Sequence, residues 1–134
     1  MRSHIEFRSK ALLDADANDG EPRGESVARL LAKRLPEHGY EINEVAPEDW
    51  GWRVDLRNDT FPLWIGCGRY QEYPDGHMCF IEPSRLYVRR WLRRIRTSDV
   101  TELLATAIEK VLQANTQISD VRWWTEAETN LGRR

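Results

Sequence analysis

Several features that would assign this chain to a functional class are missing from its sequence. No run of eighteen apolar residues occurs, which excludes a transmembrane helix, and the opening MRSHIEFRSK has no apolar segment of the kind a secretory signal needs. We therefore expect a cytoplasmic protein with no membrane partner. No catalytic or cofactor motif is present either, which favours a non-enzymatic protein that holds no cofactor.

Cysteine is scarce as well. Cys67 and Cys79 are the only two, too few for a disulfide framework. With His77 they form the one group of soft metal ligands, but zinc would need a fourth ligand and paired Cys-x-x-Cys spacing. The sequence therefore predicts no metal site and two buried, reduced thiols. The glycine-bulge turn expected before His77 would place Cys79 opposite Gln71 and Cys67 opposite Pro83, which is too far apart for a disulfide.

The residues that are present describe an ordinary globular chain. Of 134 residues, 40% are hydrophobic and 31% are charged, with 20 basic and 22 acidic side chains. This composition predicts one domain over residues 1–134 with a substantial core, frayed at about residues 1–3 and 127–134. The formal charge of −2 argues against nucleic-acid binding over the whole surface.

Hydrophobic periodicity predicts the element order β-α-β-β-β-β-α-α-β. Long stretches of strand without intervening helices favour the α+β class, with an antiparallel sheet of about five to six strands and helices packed mainly on one face. The order of the strands in the sheet does not follow from the pattern. The predicted strands cover about 5–13, 40–45, 50–57, 61–69, 77–83 and 118–125, and the predicted helices about 26–36, 85–96 and 100–112.

The central strands are expected to pair as hairpins. A two-residue loop at Asn58 and Asp59 would place Val54 opposite Leu63 and continue as an apolar face, which we assign to the core. Each tryptophan is assigned to the core or to the surface according to the side of its predicted strand or helix on which it falls. Those expected in the core are Trp50, Trp52, Trp91 and Trp123, and those expected on the surface are Trp64 and Trp124.

The opposite face of these strands is predicted to hold a shallow depression. Arg53, Trp64, Tyr70 and Phe80 would surround backbone that carries no side chains, because glycines stand at three strand positions. These glycines are Gly51, Gly66 and Gly68. A partner could occupy the depression, or one of the protein's own segments could pack into it.

Positive charge is concentrated in one short segment. Residues 85–96 contain six arginines and no acidic residue, whereas residues 1–84 carry ten basic and sixteen acidic side chains. The segment is predicted to be a helix with Arg89 and Arg93 on its polar side. Arginine binds carboxylates and phosphates in paired geometry, so three alternatives stay open: internal ion pairs, a partner protein, and a nucleic acid or other polyanion.

Acidic residues near the strand entries do not indicate catalysis. Glu44, Asp49 and Asp55 show no spacing typical of an acid–base pair, and acidic residues at such positions commonly form solvated turns. No catalytic residue is predicted.

Three segments carry a resemblance to a known group of proteins. The strings PEDWGWRVDL, FPLWIGCGRYQEYPDG and DVRWWTE resemble those of small uncharacterised bacterial proteins, including single-domain α+β proteins found as immunity partners of secreted toxins. The resemblance covers roughly residues 40–126. It implies a bacterial, cytoplasmic protein that works by binding, and it transfers no site residue.

The leading hypothesis is a non-enzymatic binding protein that occludes a partner protein such as a toxin. Aromatic residues and arginine dominate such interfaces. The alternatives are a nucleic-acid or polyanion binder that uses residues 85–96, and a small enzyme or ligand-binding protein that uses the depression. The predicted binding residues are Arg53, Trp64, Tyr70, Phe80, Arg89 and Arg93.

Overall fold

A six-stranded antiparallel sheet with two α-helices on one face accounts for most of the structure. A computed structural model describes residues 2–14 and 21–125, so the fraying expected at 127–134 lies outside the described residues. The predicted α+β class, sheet size and one-sided helix packing are confirmed. The strands are β1 Arg2–Arg8, β2 Ile42–Glu48, β3 Gly51–Leu56, β4 Leu63–Arg69, β5 Gly76–Glu82, β6 Tyr87–Arg90, β7 Arg93–Arg96 and β8 Ser119–Thr125; the helices are α1 Glu25–Arg34, a short 3-10 turn Leu35–His38, and α2 Ser98–Gln113.

The first strand lies inside the sheet rather than at its edge. The order is β2-β3-β4-β5-β1-β8, and β6 and β7 form a separate two-stranded hairpin. Ile5 and Phe7 of β1 are fully buried, as expected for a strand with neighbours on both sides. Strand β2 lies at one edge and contains Pro47, a residue that is tolerated at an edge because it cannot donate to a neighbouring strand.

Both helices pack on the same face of the sheet and close the core. α1 buries Val27, Ala28 and Leu31, and α2 buries Leu104 and Ile108, in each case at helical spacing along one side. The buried hydrophobic residues of helices and strands belong to a single cluster.

The N-terminus of α1 is capped by a residue from an earlier part of the chain. Gly24 stands at the cap position with φ 113° and has no side chain to offer, so Asp14 accepts hydrogen bonds from the amides of Gly24 and Ser26 at 2.8 and 2.9 Å. Partial burial raises the pKa of Asp14, but these hydrogen bonds outweigh it and the pKa is lowered overall. The carboxylate therefore stabilises the start of the helix.

The register of the central hairpin differs from the predicted one by two residues. Val54 lies opposite Ile65 rather than Leu63. The tight loop at Asn58 and Asp59 is wrong because Phe61 is buried and the Asn58 side chain donates to its carbonyl oxygen at 3.0 Å, which closes a wider loop. A shift of two residues keeps each side chain on its predicted face.

The two cysteines are neighbours, contrary to the predicted register. Cys67 lies opposite Cys79, and the two sulfur atoms are 3.6 Å apart. Both thiols are free and buried. The hydrogen bond with Cys79 and burial raise the pKa of Cys67 well above its usual value, so the thiol stays protonated and unreactive at neutral pH.

The predicted helix at 85–96 is wrong, because this segment is a β-hairpin. Its side chains alternate with period two, and Val88 lies opposite Ile95 where both pack against the core. Both residues are β-branched and favour strand over helix. A helix would have buried Trp91, but Trp91 and Leu92 form the turn and are 91% and 96% exposed. We call residues 85–96 the arginine hairpin.

Candidate functional site

The sheet face opposite the helices carries three aromatic rings in mutual contact, which we call the aromatic cluster: Trp50, Trp64 and Phe80. Ring centroids are 5.8 Å apart for Trp50 and Trp64, 5.2 Å for Trp50 and Phe80, and 5.6 Å for Trp64 and Phe80. No helix of the described residues lies on this face. The cluster is therefore open to solvent on one side.

Trp50 is 47% exposed, so its predicted place in the core is wrong. It stands in the turn between β2 and β3, outside the strand alternation on which the prediction depended. The turn lets its ring lie over the outer face, against Trp64. A tryptophan ring with half of its surface in water is unfavourable unless a partner covers it, so such a residue typically marks a contact surface.

At two of the three glycines, Gly66 and Gly51, the space of the predicted depression is taken by the protein itself. Gly66 lies between Arg53 and Phe80 in the sheet, and a Cβ atom on Gly66 would be under 3.0 Å from the Phe80 ring. A Cβ atom on Gly51 would collide with the carbonyl oxygen of Cys67. Phe80 therefore occupies the space above Gly66, so the Gly66 backbone is not open to a ligand as predicted.

Arg53 is surrounded by carboxylates beside the aromatic cluster. Its guanidinium contacts Glu48, lies 3.0 Å from Asp55 and lies 3.8 Å from Glu44; we call these three carboxylates the acidic cluster. Desolvation lowers the pKa of Arg53, but Asp55, Glu48 and Glu44 outweigh it and raise the pKa overall. Three carboxylates around one arginine leave this part of the face with net negative charge. Arg53 is satisfied internally, and the carboxylates are the groups that remain to meet a partner.

Tyr70 lies apart from the other predicted residues of the face. It follows the last residue of β4, at the opposite end of that strand from Trp64, and its ring contacts Tyr73 at 6.1 Å. Burial and the nearby Glu6 carboxylate raise the pKa of Tyr70. The structure thus brings Arg53, Trp64 and Phe80 together but not Tyr70.

An open cleft of about 890 Å³ connects the sheet face to the arginine hairpin. Trp64 and Glu82 lie on the sheet side of this cleft, and Arg89 and Arg90 lie on the hairpin side. Glu82 is directly opposite Trp64 in the sheet, so it extends the negative charge along the aromatic cluster.

The arginine hairpin presents its charges on both faces. Arg89 lies opposite Arg94 in the strand register with both side chains on one face, and Arg90 lies opposite Arg93 with both on the other face. Arg90 donates to the backbone carbonyl oxygens of Asp59 and Thr60, both at 3.1 Å. These carbonyls hold the hairpin against the loop that joins β3 and β4.

Internal ion pairs neutralise little of this charge. Arg96 lies 3.7 Å from Asp99 at an exposed position, and the guanidinium of Arg94 stacks over Tyr87 at 3.9 Å. Within residues 2–14 and 21–125, no carboxylate lies at ion-pair distance from five of the six arginines. These five are Arg85, Arg89, Arg90, Arg93 and Arg94.

The interior of the described structure holds one buried histidine. His77 contacts the carbonyl oxygen of Ser9 through Nε2 at 2.9 Å and stacks on Phe7. Burial lowers its pKa, so His77 is neutral at neutral pH and has a structural role. Among the described residues no cluster of three or more His, Cys, Asp or Glu side chains could hold a metal ion.

The sequence prediction assigned Trp50 and Trp91 to the core, but the structure exposes both side chains. Both residues belong to turns, where strand and helix periodicity give no information about burial. A usable signal did exist in the string RRWLRR, where two arginine pairs flank Trp91 and Leu92 symmetrically, as they do across a hairpin turn.

Comparison of the chain with protein-family models, curated proteins and solved structures gave no match. Among the described residues, no helix has the length and apolar character needed to cross a membrane.

Proposed function

We propose that this chain is a non-enzymatic protein-binding module that contacts its partner through the uncovered face of the sheet. The observation that supports this most directly is the aromatic cluster on a face without a helix, with Trp50 47% exposed. Tryptophan is the residue type most often found to dominate binding energy at protein interfaces. The residues proposed for the contact are Trp50, Trp64 and Phe80 with the acidic cluster.

The charge around the cluster indicates the chemistry of the partner. The acidic cluster and Glu82 place four carboxylates beside three aromatic rings, with Arg53 as the central counter-charge. Lysine and arginine side chains of a partner would meet carboxylates and ring faces together, and both contacts attract cations. We therefore propose a partner with a basic surface. A toxin with such a surface, occluded by this face, fits the resemblance to immunity proteins.

The test is direct binding to the purified product of the neighbouring gene, measured by calorimetry with wild type and with Trp50→Ala and Trp64→Ala variants. A matched control is Leu103→Ala, because Leu103 is 68% exposed on the helix side. We expect each tryptophan variant to weaken the affinity at least about tenfold and the control to leave it unchanged.

A second pair of variants tests the charge. Glu44→Gln with Glu48→Gln should weaken binding and reduce its salt dependence, whereas Glu37→Gln, an exposed carboxylate in the 3-10 turn, should not. Full affinity in a variant that combines Trp50→Ala and Trp64→Ala would overturn the proposal. So would a partner that is lost only when the arginine hairpin is changed.

A further inference from the structure

The turn of the arginine hairpin exposes two large apolar side chains that the fold does not use. Trp91 and Leu92 are 91% and 96% exposed, more than any other large hydrophobic residue described. Trp91 also has φ 62°, in the left-handed region that glycine favours at a two-residue hairpin turn. Trp91 therefore combines two unfavourable features, an exposed apolar side chain and a strained backbone. This combination indicates that Trp91 serves in binding rather than in folding.

The arginines surround this turn at two levels. Arg90 and Arg93 lie opposite each other next to the turn. Arg89 and Arg94 lie opposite each other one residue further from the turn, on the other face of the hairpin. At the rise of a β-strand, these levels are about 3 and 7 Å behind the tip. The polar headgroup layer of one bilayer leaflet is about 5–8 Å thick, so both levels would lie within it when the tip reaches the acyl chains.

A shallow concavity on one face of the hairpin adds a place for an anion. It is lined by Arg85, Tyr87, Arg89 and Arg94 with Val88. Arginine side chains bind phosphate oxygens in paired geometry, and within residues 2–14 and 21–125 no carboxylate lies at ion-pair distance from Arg85, Arg89 or Arg94.

We propose that the arginine hairpin inserts its tip into the surface of an anionic lipid bilayer. Trp91 and Leu92 enter the boundary between headgroups and acyl chains, Tyr87 lies at the level of the headgroups, and the arginines bind lipid phosphates. This differs from the expectation of no membrane partner, which considered only segments that span a membrane. It is independent of the partner proposed for the sheet face.

The arrangement favours a bilayer over a nucleic acid. A two-stranded ribbon in a groove presents one face to the bases and phosphates, whereas here the arginines project from both faces around an apolar tip. Leu92 offers a nucleic acid no hydrogen bond.

Sedimentation with vesicles tests the proposal on the whole chain. Wild type is expected to bind vesicles in which about a quarter of the phosphatidylcholine is replaced by phosphatidylglycerol, and not vesicles of phosphatidylcholine alone. Trp91→Ser with Leu92→Ser should weaken binding at least about tenfold, since both substitutions remove apolar surface at an exposed turn and leave the fold intact. Leu103→Ser is the matched control for an exposed apolar residue.

The electrostatic part has its own control. Arg89→Gln with Arg93→Gln should weaken binding about fivefold for each charge removed, whereas Arg29→Gln with Arg34→Gln, which removes two charges from α1, should not. Quenching of tryptophan emission by brominated lipids should be strong in wild type and weak in Trp91→Phe.

Four outcomes would overturn the proposal. They are no binding to anionic vesicles at low salt, equal binding after Trp91→Ser with Leu92→Ser, quenching that persists in Trp91→Phe, and tighter binding to short RNA or DNA duplexes than to vesicles. The last would assign the hairpin to a nucleic acid.

Discussion

The sheet face and the arginine hairpin differ in charge and in how firmly the fold holds them. Trp64 and Phe80 of the aromatic cluster stand on strands with hydrogen-bonded neighbours on both sides, and the acidic cluster gives their surroundings negative charge. The hairpin pairs only with itself and is joined to the domain by Val88, Ile95 and the hydrogen bonds of the Arg90 side chain to the β3–β4 loop. Substitutions in the sheet face should therefore disturb stability and binding together, whereas substitutions in the hairpin should disturb binding alone.

The largest effect on stability is expected from Gly51→Ala, at the start of β3 below the aromatic cluster. The new Cβ atom would collide with the Cys67 carbonyl oxygen, a backbone atom that cannot move without its strand. We expect the free energy of unfolding to fall by about 3 kcal/mol in urea denaturation.

Gly39→Ala is the matched control for this substitution. Gly39 has φ 90° but nothing within 4 Å of its would-be Cβ, so only backbone strain is added and the loss should be about 1 kcal/mol. Equal losses in the two variants would contradict the collision at Gly51.

Gly66→Ala should have the next largest effect and tests whether Phe80 is held over the glycine. The added methyl group would push the Phe80 ring out of the aromatic cluster, at a cost of about 2 kcal/mol. Phe80→Leu in the same chain frees that space, so the double variant should lose less than the two single losses combined in thermal unfolding. Strictly additive losses would show that the ring and the glycine are not coupled.

Sequence reasoning succeeded where a residue's neighbours follow from alternation. The apolar faces of β3 and β4 were predicted correctly despite a register error, because a shift of two residues preserves parity. It failed at 85–96, where Val88, Trp91 and Leu92 fit a helical stripe as well as a hairpin turn over so short a segment. The contact between Phe80 and Gly66 depends on ring placement across strands, which no one-dimensional pattern contains.

The helix behind the sheet face provides a third, smaller test through Asp14. Asp14→Ala removes the acceptor for the amides of Gly24 and Ser26 and should lower stability by about 1 kcal/mol, while Asp14→Asn keeps one acceptor oxygen and should lose less.

The effect of Asp14 should depend on pH. Since folding lowers the pKa of Asp14, its stabilisation is complete above the ordinary value of 3.8 and is lost as pH falls through the lower folded value. Wild type and Asp14→Ala should therefore converge in stability on acidification, as measured by denaturation at a series of pH values. A difference that stays constant below the ordinary pKa would contradict this role.

The smallest effect on stability is expected from Trp91→Gly, at the hairpin turn. Glycine relieves the strain at φ 62° but makes the unfolded chain more flexible, so the two effects offset and the free energy of unfolding should stay within about 1 kcal/mol of wild type.

The control is Trp52→Gly, which removes a tryptophan that packs against the core and should lower the free energy of unfolding by about 3 kcal/mol. If Trp91→Gly unfolds as readily as Trp52→Gly, the hairpin is part of the core and its contrast with the sheet face fails. If its stability is unchanged, Trp91 contributes to something other than folding, because a residue that is strained, exposed and dispensable for stability has no structural reason to be tryptophan.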